Sequence, residues 1–139
     1  WTERIGFTAA LKTLEIIDKK KIYNNLIDYG NQVTDAWEES AIKNNINIKV
    51  TGIPPLRYFT FVNDNPEETQ TYYTQEMLKK GFLAGSSVYA TNAYSNRIIR
   101  KYKESMMGIF DKINYYNSKG NLIEKLEGPV IEKGFKRLN

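Results

Sequence analysis

The chain contains neither cysteine nor histidine among its 139 residues. Without cysteine it forms no disulfide and has no thiolate nucleophile, which fits a reducing compartment, and we predict a cytoplasmic protein. Without histidine it cannot build a Ser-His-Asp or Cys-His catalytic set, and it lacks the commonest zinc ligand. Chemistry carried out by this chain alone would have to use Asp, Glu, Lys, Tyr, Ser or Thr. This makes an autonomous enzyme less expected. The sequence shows no complete catalytic constellation, no Gly-rich phosphate loop and no metal-ligand spacing, so we predict no catalytic residue and no metal ligand within it.

Long apolar runs and concentrated charge are also missing. No run approaches the roughly 20 apolar residues that span a bilayer, and no signal sequence is visible, so no membrane partner is expected. The 20 basic residues are offset by 16 interspersed acidic ones, which leaves no concentrated footprint for nucleic acid. With 41% hydrophobic and 26% charged residues, the composition predicts a single folded domain over residues 1–139.

Residues 1–17, which read WTERIGFTAALKTLEII, carry a helical apolar pattern. We predict a helix from about Glu3 to Asp18, with Thr2 as its N-cap. The apolar residues that fall on one face of it are Phe7, Ala10, Leu11, Leu14 and Ile17. Because the chain starts at a tryptophan inside this pattern and has no initiator Met, we expect a fragment of a longer protein. The alternative for this stretch is an ordinary core helix.

The remaining periodicity predicts three strands and four further helices, the last of them short. Segments rich in β-branched and aromatic residues alternate with segments of three- and four-residue apolar spacing. The predicted order is a helix at Ile22–Asn44, strands at Ile48–Ile53 and Leu56–Val62, a helix at Pro66–Lys80, a strand at Phe82–Tyr89, a helix at Asn96–Tyr116 capped by Ser95, a short helix at Leu122–Glu127 and an irregular tail at 130–139. This order predicts an α+β fold, with helices on one side of a small, mostly antiparallel three-stranded sheet.

Aromatic residues are concentrated in the second strand, where two interpretations are open. The strand period of two places Arg57, Phe59 and Phe61 on one face. Such a row packs under helices or stacks on RNA bases, and packing is favoured because the RNA-binding consensus is absent. Trp37, on the apolar face of the second helix, is likewise interpreted as a core residue.

The motif W-T-E-R-I-G at residues 1–6, followed by an Ala/Leu-rich helix, resembles the glutamate-1-semialdehyde aminomutase branch of the class-III aminotransferases. These are pyridoxal-phosphate (PLP) enzymes of fold type I. The resemblance implies that residues 1–18 form a domain-linking helix and that the chain is the small C-terminal domain. It also implies PLP in the intact enzyme, a small amino or keto substrate and a homodimer. The PLP-binding lysine would lie upstream, so the fragment alone is expected to be inactive and free of cofactor.

The same resemblance implies site residues at two places. Trp1 and Thr2 would lie nearest the cofactor phosphate. The substrate-pocket motif P-S-Q-F-E-A of the aminomutases corresponds to residues 86–91, which places Ser87, Tyr89, Ala90 and Thr91 in the pocket wall. Ser87 and Tyr89 match the motif in type, whereas Ala90 replaces its glutamate. This departure points to a relative that acts on another amine or keto substrate, such as a sugar.

Two other classes of function are compatible with the sequence. The aromatic run from Tyr58 to Phe61 and the pI near 9.1 are the observations behind the hypothesis of a nucleic-acid-binding module. A structural interaction domain is the second alternative, since an isolated small domain exposes apolar faces and self-associates.

Overall fold

The computed structural model describes residues 3–132, so Trp1, Thr2 and residues 133–139 of the predicted tail lie outside it. The elements are α1 (Arg4–Lys19), α2 (Ile22–Lys43), β1 (Ile48–Ile53), β2 (Leu56–Phe61), α3 (Pro66–Lys79), β3 (Ser87–Tyr89), α4 (Asn96–Lys119) and a 3₁₀ turn at Ile123–Lys125. The strands form one antiparallel sheet in the order β1-β2-β3. The predicted α+β class is therefore confirmed.

The core lies between the sheet and the helices α2, α3 and α4. Phe59 and Phe61 of β2 face these helices and are 0% and 4% exposed, and Trp37 of α2 is 0% exposed. The ring centroids of Trp37 and Phe59 are 4.9 Å apart, and those of Phe61 and Phe110 are 5.5 Å apart. The aromatic row is thus packing surface, and two of the rings that motivated a base-stacking function are inaccessible.

Helix α2 approaches the turn between β1 and β2 more closely than a side chain would allow. A Cβ atom added at Gly30 would lie 1.7 Å from the carbonyl oxygen of Pro54. The missing side chain lets the helix backbone rest directly on the turn. This contact places the next turn of α2, with Val33 and Thr34, over the strands.

The third strand is shorter than predicted. Pairing with β2 begins at Ser86, whose carbonyl accepts a hydrogen bond from the Phe59 N–H at 2.8 Å, and the strand proper is Ser87–Tyr89. Residues 82–86 were predicted to be in the strand but lie outside it, because Ala84 and Gly85 offer little side chain to pack on a sheet. Phe82 and Ala84 pack against the core instead, and the Phe82 N–H donates to the Met77 carbonyl at 3.0 Å.

Helix ends differ from the predictions in three places. Helix α4 extends to Lys119, since nothing in residues 117–119 breaks a helix, and it ends at Gly120 in the left-handed conformation (φ 65°). The predicted helix at Leu122–Glu127 is only the 3₁₀ turn, because Gly128 and Pro129 follow it immediately. The N-cap of α1 is Glu3 rather than Thr2, and it makes no side-chain capping bond.

Helix α1 packs against α2, yet every residue of α1 is exposed. The exposed fractions of Phe7 and Leu11 are 72% and 70%. The core-helix alternative for this stretch is therefore wrong. Its role as a domain-linking helix remains a prediction.

The buried carboxylate of Glu76 in α3 links this helix to α4 through Lys112. Glu76 is 8% exposed and accepts hydrogen bonds from Lys79 at 2.7 Å and Lys112 at 3.3 Å. Burial acts to raise the pKa of Glu76, but the hydrogen bonds from Lys79, Gln75 and Lys112 outweigh it, and the pKa is lowered overall. This carboxylate therefore stabilises the fold in its ionised form.

The Gly30 contact predicts a stability change opposite to the usual helix rule. Gly30→Ala should lower the free energy of unfolding by at least about 2 kcal/mol, because the new methyl group meets the Pro54 carbonyl. Gly108→Ala in α4 is the matched control, since nothing lies within 4 Å of its added Cβ. That change should raise the free energy of unfolding by about 0.5–1 kcal/mol. Urea denaturation measures both, and equal effects would contradict the close contact.

Glu76 predicts a pH-dependent contribution to stability. Its folded-state pKa lies below the unfolded value, so its contribution is present above the unfolded pKa and is lost as pH falls through the folded pKa. Glu76→Gln should cost about 1–2 kcal/mol at neutral pH, and this cost should shrink on acidification. Glu15→Gln, which removes an exposed carboxylate of α1, should cost less than about 0.5 kcal/mol. A cost for Glu76→Gln that is constant with pH would contradict the assignment.

Candidate functional site

A cleft of about 400 Å³ lies between the edge strand β3, the segment before it, helix α2 and the first turns of α4. Ser95 fixes the start of α4 as predicted, because its hydroxyl accepts a hydrogen bond from the Ile98 N–H at 3.4 Å. The cleft-lining residues are mainly apolar or aromatic: Val33, Phe82, Leu83, Ala84, Gly85, Ser87, Val88, Tyr89, Tyr94, Ile98, Ile99 and Tyr102. The segment that fails to join the sheet thus forms one wall of the cleft.

The structure brings two of the predicted pocket residues together and leaves two aside. Ser87 and Tyr89 both line the cleft. Ala90 is held by its N–H, which donates to the Pro55 carbonyl at 2.9 Å, and the Thr91 hydroxyl accepts from the Ala93 N–H at 3.3 Å. Those two residues shape the chain between β3 and α4 without lining the cleft. Trp1 and Thr2, predicted near a phosphate, lie outside the described residues.

Tyr94 holds the rim of the cleft against α2. Its hydroxyl donates to the Tyr89 carbonyl at 3.2 Å, and its ring meets the Tyr29 ring edge-on with centroids 5.9 Å apart. Nearby, the side-chain amides of Asn25 and Asn92 are hydrogen-bonded at 2.8 Å. These contacts tie the segment after β3 to α2, so the rim is supported on both sides.

Behind the inner part of the cleft, three aromatic side chains with polar groups are hydrogen-bonded in a row. The Trp37 indole N–H donates to the Tyr102 hydroxyl at 2.7 Å, and the hydroxyls of Tyr102 and Tyr73 are 2.9 Å apart. Burial raises the pKa of both tyrosine hydroxyls, so both are neutral at physiological pH. The three- and four-residue apolar spacing of α4 includes Tyr102, but nothing in that pattern indicates its role as a hydrogen-bond acceptor.

The cleft lining determines what this part of the chain can do chemically. The lining residues include no Asp, Glu, Lys or Arg, so the cleft offers apolar contact and the hydroxyls of serine and tyrosine. Such a lining binds the apolar part of a ligand, orients a polar group and excludes water. Tyrosine is the only titratable residue type in the lining, so a carboxylate or an ammonium group for proton transfer would have to come from outside it.

Residues 3–132 contain neither a metal-binding cluster nor a membrane-spanning helix. In this part of the chain, no group of three or more Asp and Glu residues is arranged to hold a metal ion. None of the helices described here combines the length and apolar character needed to cross a membrane.

Comparison with known proteins identifies a relative in fold. The structure of the PLP internal aldimine form of the FumI protein from Sphingopyxis sp. MTA144 superposes with a TM-score of 0.75 at 19% sequence identity. The match covers 85% of this chain but only 29% of that protein. The chain thus has the fold of part of a PLP enzyme and spans less than a third of its length. No protein-family profile and no curated protein sequence matches the chain.

The tyrosine pair behind the cleft predicts unequal costs for two matched variants. Tyr102→Phe leaves the buried Trp37 N–H without its acceptor and should cost about 2–3 kcal/mol of unfolding free energy. Tyr73→Phe removes one hydroxyl but preserves the Trp37–Tyr102 bond, and should cost about 1 kcal/mol. Urea denaturation of both variants tests the order. A Tyr73→Phe cost equal to or above that of Tyr102→Phe would contradict it.

Proposed function

We propose that this chain is the C-terminal part of a PLP-dependent aminotransferase or 2,1-aminomutase of the cytoplasm. In this proposal it forms one wall of the substrate pocket and part of a homodimer, while the catalytic lysine lies elsewhere in the intact enzyme. The observation that carries the proposal is the fold shared with part of a PLP enzyme over 85% of the chain. The W-T-E-R-I-G motif and its resemblance to the aminomutase branch support the finer assignment.

The cleft supports a role in binding substrate. Ser87 and Tyr89 are exposed on the edge strand and supply hydroxyls for a polar group of an amino or keto substrate, while the apolar lining of the cleft contacts the rest of it. Ala90 and Thr91 complete the proposed pocket segment by holding its backbone in place. Ala90 supplies no carboxylate where the aminomutases have one, which favours a substrate other than glutamate-1-semialdehyde.

In this proposal, residues 3–132 do not provide the cofactor site on their own. The cleft lining contains no lysine for a covalent bond to PLP and no cationic group for its phosphate. PLP supplies electron withdrawal from the substrate carbon when bound. We assign its covalent and ring contacts to the remainder of the enzyme. Trp1 and Thr2 are proposed to lie near its phosphate.

Exposed apolar surface supports an interface with another part of the enzyme or a dimer partner. On the sheet face opposite the helices, Leu56 and Tyr58 of β2 lie beside Ile53 of β1, which is opposite Leu56 in the register, and these side chains are 39%, 48% and 65% exposed. The apolar face of α1 is exposed as well. Contiguous apolar surface of this kind marks an interaction site.

The proposal predicts where the cofactor attaches. The intact protein that contains this chain should turn yellow with PLP, and the 139-residue chain alone should stay colourless. Borohydride reduction followed by peptide mapping should find the reduced cofactor on a lysine outside residues 1–139.

Matched controls make this test decisive. Substitution of the labelled lysine by alanine should abolish both colour and label, whereas substitution of an unlabelled lysine should change neither. An intact protein that remains colourless with PLP would overturn the proposal. A label on a lysine within this chain would overturn the placement of the catalytic lysine.

A further inference from the structure

Arg57 is a cation on the core side of the sheet. It belongs to the same face of β2 as the buried Phe59 and Phe61, and its side chain is half-buried. Arginine is seldom buried without an anionic partner because removing the guanidinium from water is costly. The groups that surround the Arg57 guanidinium therefore indicate its function.

Within residues 3–132 the guanidinium is only partly satisfied. Its Nη1 donates to the Thr34 hydroxyl at 3.2 Å, and that hydroxyl in turn donates to the Gly30 carbonyl at 2.9 Å. The Nε–H is buried and has no hydrogen-bond partner. None of the ion pairs found in this part of the chain involves Arg57, and residues 1–2 and 133–139 contain no Asp or Glu. The cation thus has a neutral hydroxyl as its partner and no carboxylate side chain.

The position of Arg57 places this cation beside the cleft. In the sheet register Arg57 is opposite Val88, and its partner Thr34 follows Val33 on α2. Val33 and Val88 both line the cleft. The cleft lining itself carries no charged residue, and Arg57, beside this wall, is a half-buried cation without an ion pair in residues 3–132.

We propose that Arg57, oriented by Thr34, binds an oxyanion carried by the ligand of the cleft, either a carboxylate or a phosphate. The guanidinium has five N–H donors in a planar fork that matches such a group, and the described fold uses one of them at Thr34. A small rotation of the side chain presents the unpartnered Nε–H together with the adjacent Nη to the two oxygens of one anion. The anion supplies the charge that the protein lacks at this point. The assignment of this anion to an amino or keto substrate rests on the proposed function, whereas the anion site itself needs no cofactor.

The test measures how far anions stabilise the 139-residue chain against urea. Inorganic phosphate and acetate are titrated separately, against chloride at equal ionic strength, and the rise in unfolding free energy gives a dissociation constant for each. Arg57→Met should weaken binding at least about tenfold, the loss expected for one charged contact. Arg100→Met, which removes an exposed arginine of α4, should leave binding within about twofold of the wild type.

The outcomes separate an anion site from a structural arginine. Stabilisation by phosphate alone assigns a phosphate ligand, and stabilisation by acetate assigns a carboxylate. An equal response in the wild type and both variants would overturn the proposal, since anions excluded from any surface stabilise all three alike. Loss of folding in Arg57→Met without anion would also overturn it, because the proposal holds that the free protein does not require this cation. Neither result depends on PLP, so this test and the borohydride test fail independently.

Discussion

The packing of one phenylalanine ring holds this fold together. Phe59 lies at the centre of β2 and contacts an aromatic ring from each of the three core helices, namely Trp37 of α2, Tyr73 of α3 and Phe110 of α4. The centroid separations are 4.9, 5.5 and 6.4 Å, within the range of favourable tilted and edge-on pairs. Because one residue of the sheet is shared by all three helices, the helices are positioned relative to each other as well as to the strands.

The same cluster supports the cleft from behind. Trp37 and Tyr73, which pack on Phe59, also bond to the Tyr102 hydroxyl, and Tyr102 lines the cleft. The cleft therefore rests on side chains that the core already fixes in place. Its outer wall is the segment before β3, where the Phe82 ring packs edge-on against Tyr102 with centroids 5.5 Å apart. The inner surface and the outer wall of the cleft therefore meet at Tyr102.

Periodicity was sufficient for the elements whose residues repeat a strong pattern. Three- and four-residue apolar spacing predicts α2, α3 and the burial of Trp37, and β-branched and aromatic composition predicts β1 and β2. The burial of Phe59 is one of the two interpretations that the sequence leaves open. The third strand was overextended because an apolar, β-rich composition does not reveal where hydrogen-bond pairing starts. For the site, a family resemblance located Ser87 and Tyr89, whereas the hydroxyl chain behind the cleft and the unpaired Arg57 depend on contacts between residues more than 20 positions apart. The local sequence around each residue does not reveal such contacts.

The exposure of α1 has a consequence for how the molecule unfolds. A helix of 16 residues with no buried side chain is only marginally stable in water, since helices of this length depend on packing. Its amide protons are therefore expected to exchange with solvent through local fraying, at a much lower energetic cost than those of α2 and α4. The unfolding of α1 and the cooperative unfolding of the core are then separate transitions. A protein surface that buries α1 would couple the two into a single transition.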